Sequence, residues 1–183
     1  MNRWLPEMLN PVERADAYAP IETPIGPLYI AFNGSAVTAI KRTGAAVEGS
    51  LGARFARPVR RAPTLPEPLA RGVAEHLQGD GRATLCFDLG GLPAFDQAVL
   101  RTVLGIPRGE VRSYAWVAHE IGQPQAAREV GLALARNPIP LLIPCHRVIR
   151  SDGRLGGYIF GSRAKRALLL AEDVELATSG RVA

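Results

Sequence analysis

The chain has 183 residues, 47% of them hydrophobic, 21% charged and 6% aromatic, which suits one ordinary domain or two small ones and excludes a coiled coil or a disordered tail. Its 22 Lys and Arg against 17 Asp and Glu give a net charge of +5, and residues 1–90 carry 10 basic and 9 acidic groups where residues 91–183 carry 12 and 8, so a polyanionic partner is expected to face the second half. Only Cys86 and Cys145 are present, neither in a CxxC pair, which excludes a disulfide scaffold and a cysteine-rich zinc module.

The opening stretch MNRWLPEMLNPVERADAY has charges and prolines where a secretory leader needs an apolar run, and no 18 consecutive uncharged apolar residues occur. A cytoplasmic protein without a membrane partner is therefore expected. Residues 1–17 read as an irregular extension. Two apolar runs, Leu28 to Phe32 and Ala36 to Ile40, flank Asn33-Gly34-Ser35, a strong signal for a β-hairpin. Lys41 to Pro68 is rich in Gly, Pro and Arg and reads as a loop around one short helical piece. Leu69 to Leu77 has the period of an amphipathic helix, and Ala83 to Asp88 reads as a further strand that places Cys86 in the core. Residues 1–89 are thus expected to form a small α/β domain with an antiparallel sheet, and Gly90-Gly91-Leu92-Pro93 reads as the junction with a mostly helical domain over 90–183. The fold class is mixed α/β (α+β).

In the second half the apolar period becomes helical. Ala94 to Leu104 is a helix stopped by Gly105-Ile106-Pro107. Ser113 is placed to cap a helix running to Ile121, and Gly122-Gln123-Pro124 separates it from another, Ala126 to Arg136. Two short helices joined by a tight turn are either a helix-turn-helix, here with winged-helix-like character, or an ordinary helical hairpin. The basic excess of this half favours the first. His76 and His119 fall within amphipathic patterns and read as surface or satisfied histidines, and no cluster has metal-ligand spacing. Neither a metal nor a cofactor is expected.

The apolar run Ile139-Pro140-Leu141-Leu142-Ile143-Pro144 delivers Cys145-His146-Arg147 at the edge of the core. One reading is a packed structural cysteine, whose thiol an apolar site would make inert. The other is a nucleophile, with cationic neighbours favouring thiolate and Glu172, just past the helix Arg163 to Ala171, orienting the imidazole. Adjacent side chains of an extended strand diverge, so Cys145 and His146 would need a turn or a bridging water to cooperate.

Several of these stretches together carry a resemblance. They are Arg108-Gly109-Glu110-Val111-x-Ser113-Tyr114, then Ala126-Ala127-Arg128-x-Val130-Gly131, then Asn137-Pro138-x-Pro140-x-x-Ile143-Pro144-Cys145-His146-Arg147-Val148, then Gly157-Tyr158 and Lys165-x-x-Leu168-Leu169-x-x-Glu172. This series resembles the O6-alkylguanine-DNA alkyltransferase family, and Thr23-Pro24-Ile25-Gly26-Pro27-Leu28 is similar to that family's first domain. The likeness leaves out the first 17 or so residues and the tail after Glu175.

The resemblance implies direct repair of DNA. Cys145 would take the alkyl group of O6-alkylguanine irreversibly, with one turnover per protein. His146, oriented by Glu172, would act as base through a water, Tyr114 would hydrogen-bond and protonate the guanine, and Asn137 would tie the second helix to the reactive loop. Arg128 would fill the gap left by a flipped nucleotide, with Ala127, Gly131, Ser113 and Arg147 at the DNA. Pro140, Val148, Gly156, Gly157, Tyr158, Ile159, Phe160 and Lys165 would form the substrate pocket. The implied partner is double-stranded DNA, met in the minor groove with low sequence specificity by a protein that is monomeric in solution, with cooperative assembly on DNA left open. Glu129 stands where the family has alanine. Phe160 stands where it has glycine, which implies a pocket that admits methyl and disfavours benzyl. The rival readings are a non-catalytic binder of alkylated DNA, a helix-turn-helix regulator with a redox cysteine, and a Cys-His hydrolase.

Overall fold

The structure, a computed structural model, describes residues 17–34, 36–42, 47–55, 58–79, 85–177 and 181–182. The expected extension over residues 1–17 lies outside them except for Ala17. The chain divides into two units, Met1–Gly91 and Leu92–Ala183. No helix among the described residues is long and apolar enough to cross a membrane.

The first unit is built on a sheet of five strands, β1 (Ala17–Ile21), β2 (Leu28–Asn33), β3 (Ala36–Arg42), β4 (Arg60–Arg61) and β5 (Cys86–Phe87), in the order β4-β1-β2-β3-β5. β2 and β3 form the expected hairpin, with Asn33 opposite Ala36. Between the pairs Ala31↔Ala39 and Phe32↔Val37 the register shifts, leaving Thr38 as the extra residue of a bulge. β1 joins β2 antiparallel, but β4 and β5 add to the edges in parallel. The sheet is therefore mixed rather than wholly antiparallel. The expected loop from Lys41 to Pro68 holds one helix, α1 (Val47–Phe55), whose Val47 and Leu51 pack with Tyr18, Ala31, Ala39 and Val59. α2 (Glu67–Gln78) ends at Gly79 in left-handed backbone. Of the strand expected over Ala83 to Asp88, Cys86 and Phe87 are strand, and residues 83–84 lie outside the described residues. Cys86 is half-buried on an edge strand, not a core residue.

The second unit opens with α3 (Ala94–Leu104), which buries Val99, Leu100 and Val103 along one stripe. α4 (Tyr114–Glu120) follows the two-residue strand β6 (Arg112–Ser113), and α5 (Ala127–Ala135) follows the turn after it. Ser113 caps α4 as expected, its Oγ accepting from Trp116 N at 3.0 Å. The start of α3 and the end of α5 are fastened by Arg136, whose Nε and Nη2 donate to the two oxygens of the buried Asp96 at 2.6 and 2.8 Å. Behind α5 the chain forms a single 3₁₀ turn, Cys145–Arg147, then β7 (Val148–Ile149) and α6 (Ser162–Ala171). β7 pairs in parallel with β6, and this pair is the β component available to a winged-helix-like arrangement.

Candidate active site

Asn137 organises the approach to Cys145. It is 1% exposed, its Oδ1 accepts from Ile139 N at 3.0 Å, and its Nδ2 donates to Ile143 O at 3.1 Å and to Cys145 Sγ at 3.2 Å. The same loop holds Leu141 with φ at 80°, a left-handed conformation that a branched side chain adopts only when its surroundings impose it. Cys145 lies at the 3₁₀ turn, so the divergence expected of an extended strand does not apply. Cys145 is 4% exposed, and burial pushes its thiol pKa up to about 11 against the opposing hydrogen bond from Asn137 and the charge of Lys165. At neutral pH it is a thiol that needs a base.

A buried imidazole stands next in the chain. His146 is wholly buried, and its Nε2 lies 2.9 Å from Glu172 Oε1. Burial pushes the Glu172 carboxyl up, but hydrogen bonds and charges from His146 and Arg147 bring it down to about 2. An ionised carboxylate only accepts, so Nε2 carries the hydrogen and Nδ1 carries the lone pair. Nδ1 is buried without a hydrogen-bond partner, the state of a nitrogen waiting for a proton. Burial lowers the imidazole pKa, more than Glu172 raises it, which keeps the ring neutral.

Glu172 sits at the C-terminal end of α6, where the helix dipole disfavours a carboxylate. Arg147 offsets this with a two-pronged grip, Nε to Oε2 and Nη2 to Oε1, both 2.8 Å, while its Nη1 donates to Ile106 O at 2.6 Å. Arg108 donates to Ala171 O. Arg147, expected at the DNA, is instead spent on Glu172, with its side chain 12% exposed. Only the fold brings residues 106, 108, 147 and 172 together.

Cys145 opens onto a cavity of about 380 Å³, lined also by Tyr114, Gly131, Leu134, Ala135, Gly157, Tyr158 and Ile159. Leu134 and Ala135 were not anticipated, because exposed and buried positions of a helix look alike to sequence when both are apolar. Phe160 does not line this cavity. It stands edge-on to Tyr158 with ring centroids 5.7 Å apart, so the expected narrowing by Phe160 is replaced by a buttress, and Ile159 supplies the wall. Pro140, Val148, Gly156 and Lys165 also lie outside the lining. Lys165 is buried, its Nζ donating to Val148 O at 2.6 Å and Gly157 O at 3.1 Å. It pins the loop from below, and burial lowers its pKa to about 8. Gly156, at φ 69°, lies so close to Tyr114 that a Cβ there would stand 2.8 Å from the phenol oxygen. The phenol pKa is raised, chiefly by burial, so Tyr114 keeps its proton.

Tyr114 also walls a second, more open concavity of about 380 Å³, shared with Ala115, Ala127, Arg128, Arg150, Ser151 and Asp152. Arg128 and Glu129 are exposed at the first turn of α5. Among the described residues no three His, Cys, Asp or Glu gather to hold a metal.

A family model described as the DNA binding domain of 6-O-methylguanine DNA methyltransferase matches residues 94–174. The chain is 40% identical over 161 residues to a methylated-DNA–protein-cysteine methyltransferase of Mycobacterium tuberculosis, covering 85% of this chain and 91% of that one. It is 36% identical over 168 residues to one of Methanosarcina barkeri, covering 87% and 98%. A crystal structure of Mycobacterium tuberculosis OGT in complex with DNA matches with a TM-score of 0.70 at 35% identity, over 85% of this chain and 92% of that one. An O6-methylguanine-DNA methyltransferase from Pyrococcus kodakaraensis shares the fold, with a TM-score of 0.60 at 22% identity over 86% and 99%.

Proposed function

The chain belongs to the methylated-DNA–protein-cysteine methyltransferase family, and we propose that Cys145 is its alkyl acceptor, used once per molecule on a nucleotide flipped out of duplex DNA. Members of this family repair DNA by alkyl transfer, and this chain is such an enzyme. The observation that carries the assignment is Cys145 at the wall of the cavity, followed in the chain by the buried His146 that is paired with Glu172, with Nδ1 of His146 unpartnered.

The chemistry follows from the site. A water between Cys145 Sγ and His146 Nδ1 relays the thiol proton to the imidazole, and Glu172, already charged, stabilises the resulting imidazolium. The thiolate attacks the methyl carbon, the C–O bond breaks with its electron pair going to guanine O6, and a thioether forms. Tyr114 gives the departing guanine a proton, which balances the one His146 took. Nothing in this sequence returns the methyl group, so each chain acts once.

A stacked base cannot bring its O6 substituent to the thiol of a residue that is 4% exposed, which is why the nucleotide must leave the helix. Tyr114 forms part of both concavities. A base passing it would enter the cavity while Arg128, on the outer side, takes its place in the stack from the minor groove. Ala127 and Gly131 keep the face of α5 low, and Ser113, occupied in capping α4, acts on this interface by placing Tyr114. The binding is expected to be weakly dependent on sequence and steeply dependent on salt. Incubation with duplex DNA carrying radiolabelled O6-methylguanine should label the tryptic peptide that contains Cys145. Cys145→Ser should take no label, and His146→Ala should be labelled ~10²-fold or more slowly, the usual worth of a positioned base. Label on another residue would overturn the assignment.

A further inference from the structure

The end of the second unit closes on a loop that the reaction itself leaves idle. After α6 the chain turns back, Leu176 pairs with Val182, and Arg154 pairs antiparallel with Arg181. Ala177 N donates to Arg181 O at 2.8 Å, and Val182 N donates to Gly153 O at 2.9 Å. A Cβ on Gly153 would stand 3.5 Å from Val182 O and 3.7 Å from Arg181 Cβ, so the two segments are in van der Waals contact. Gly153 also has φ at 79°, which a side chain would strain.

This stitch sets the exposed Arg181 beside two exposed arginines, Arg150 and Arg154, that share one carboxylate. Arg150 Nε lies 3.3 Å from Asp152 Oδ1, Arg154 Nη1 lies 3.6 Å from Asp152 Oδ2, and Arg181 is the bridge partner of Arg154. Asp152 neutralises at most one of the three. The same loop walls the second concavity, where Arg150, Ser151 and Asp152 face Ala127 and Arg128. The cationic group is therefore continuous with the face on which Arg128 is placed.

We propose that the C-terminal segment, by docking Arg181 beside Arg154 and Arg150, completes a cationic ridge that holds the phosphate backbone of duplex DNA alongside the flipped nucleotide. The proposal rests on the repair reading above and extends its footprint. Phosphate is the chemistry that fits. Exposed guanidinium groups pair with phosphate oxygens through two parallel N–H donors, and charges spaced along a ridge suit a polymer of charges better than a single anion. Among the described residues the exposed large hydrophobic side chains are Leu132, Ile159 and Leu170, none of them belonging to the Arg150–Arg154 loop or to Arg181 and Val182.

The test uses the full chain and an undamaged duplex oligonucleotide, with binding measured by anisotropy across a salt series. Arg181→Ala removes the charge, Arg181→Lys keeps it, and Val182→Pro removes the donor to Gly153 O and so undocks the segment while the chain retains the Arg181 charge. Arg181→Ala and Val182→Pro should each weaken binding about three- to tenfold and flatten the log–log salt slope by about 0.9, the value of one phosphate contact. Arg181→Lys should keep the wild-type slope, and every variant should react with free O6-methylguanine base at the wild-type rate. An unchanged slope in Arg181→Ala or in Val182→Pro would overturn the ridge, as would loss of the reaction with free base in those variants. A wild-type chain that accepts no methyl group from DNA or from the free base would instead overturn the repair reading.

Discussion

In the proposed mechanism His146 and Cys145 divide the reactive chemistry between them, because burial acts on them in opposite senses. The thiol is held in its protonated form and the imidazole in its neutral form, so a proton has both a source and a destination at pH 7. Acid removes the destination. On the acid side the second-order rate of methyl transfer should fall only below the ordinary histidine value of about 6.5, since the buried imidazole protonates later than a free one. A rate already falling between pH 8 and 7 would contradict a neutral His146. The size of the accepted group is a second matter of single residues. Ile159 is 45% exposed and walls the cavity, while Phe160 supports Tyr158 from outside it. Ile159→Gly should therefore speed reaction with O6-benzylguanine in DNA about tenfold relative to methyl, the scale on which pockets discriminate by volume. Phe160→Gly should slow both substrates, and faster benzyl transfer in that variant would return the filter to Phe160.

At the scale of elements, the proposed mechanism makes α4 join stability to activity, because Ser113 caps it and Tyr114 is its first residue. Ser113→Ala leaves Trp116 N without its acceptor and should cost about 1 kcal/mol, the typical worth of such a cap. The thermal midpoint should drop by a few degrees, and the transfer rate should fall with it as Tyr114 loses its seat; a lower midpoint with an unchanged rate would separate the two. This cap was legible in the sequence, as was α3, because a Ser before an apolar period and a Pro93-to-Gly105 frame are local signals. β1 was not, since Pro20 breaks the pattern of a strand and Tyr18 and Ala19 gain their burial only from partners. β4, two exposed arginines in a parallel edge pair, carries no apolar signal at all. The reactive loop was legible as residue types in order, whereas its wiring was not. The grip of Arg147 on Glu172 spans 25 residues and the tie to Ile106 spans 41, distances over which periodicity says nothing.

For the whole molecule, the buried ionic site makes stability depend on pH with a definite sign. His146 titrates below its ordinary value and Glu172 at about 2, so in both cases the unfolded chain binds the proton first and acid favours unfolding. The thermal midpoint should begin to fall below about pH 6.5, where an unfolded histidine takes up its proton. The Glu172 contribution is full above about pH 4.5 and is lost as pH drops toward 2, amounting to about 3 kcal/mol at most. Glu172→Gln should lack the second stage, and a wild-type midpoint that is constant from pH 7 to 3 would contradict the pairing. The excess of basic residues in the second half belongs to the same picture, since Arg128, Arg150, Arg154 and Arg181 all lie on that unit, outside the buried ion pairs. The most direct test of the whole account is a titration of the protein with excess DNA bearing labelled O6-methylguanine, followed by mass analysis. The account predicts a plateau at one methyl group per chain, carried as a thioether on Cys145, whereas continued turnover, or a plateau with Cys145 unmodified, would contradict it.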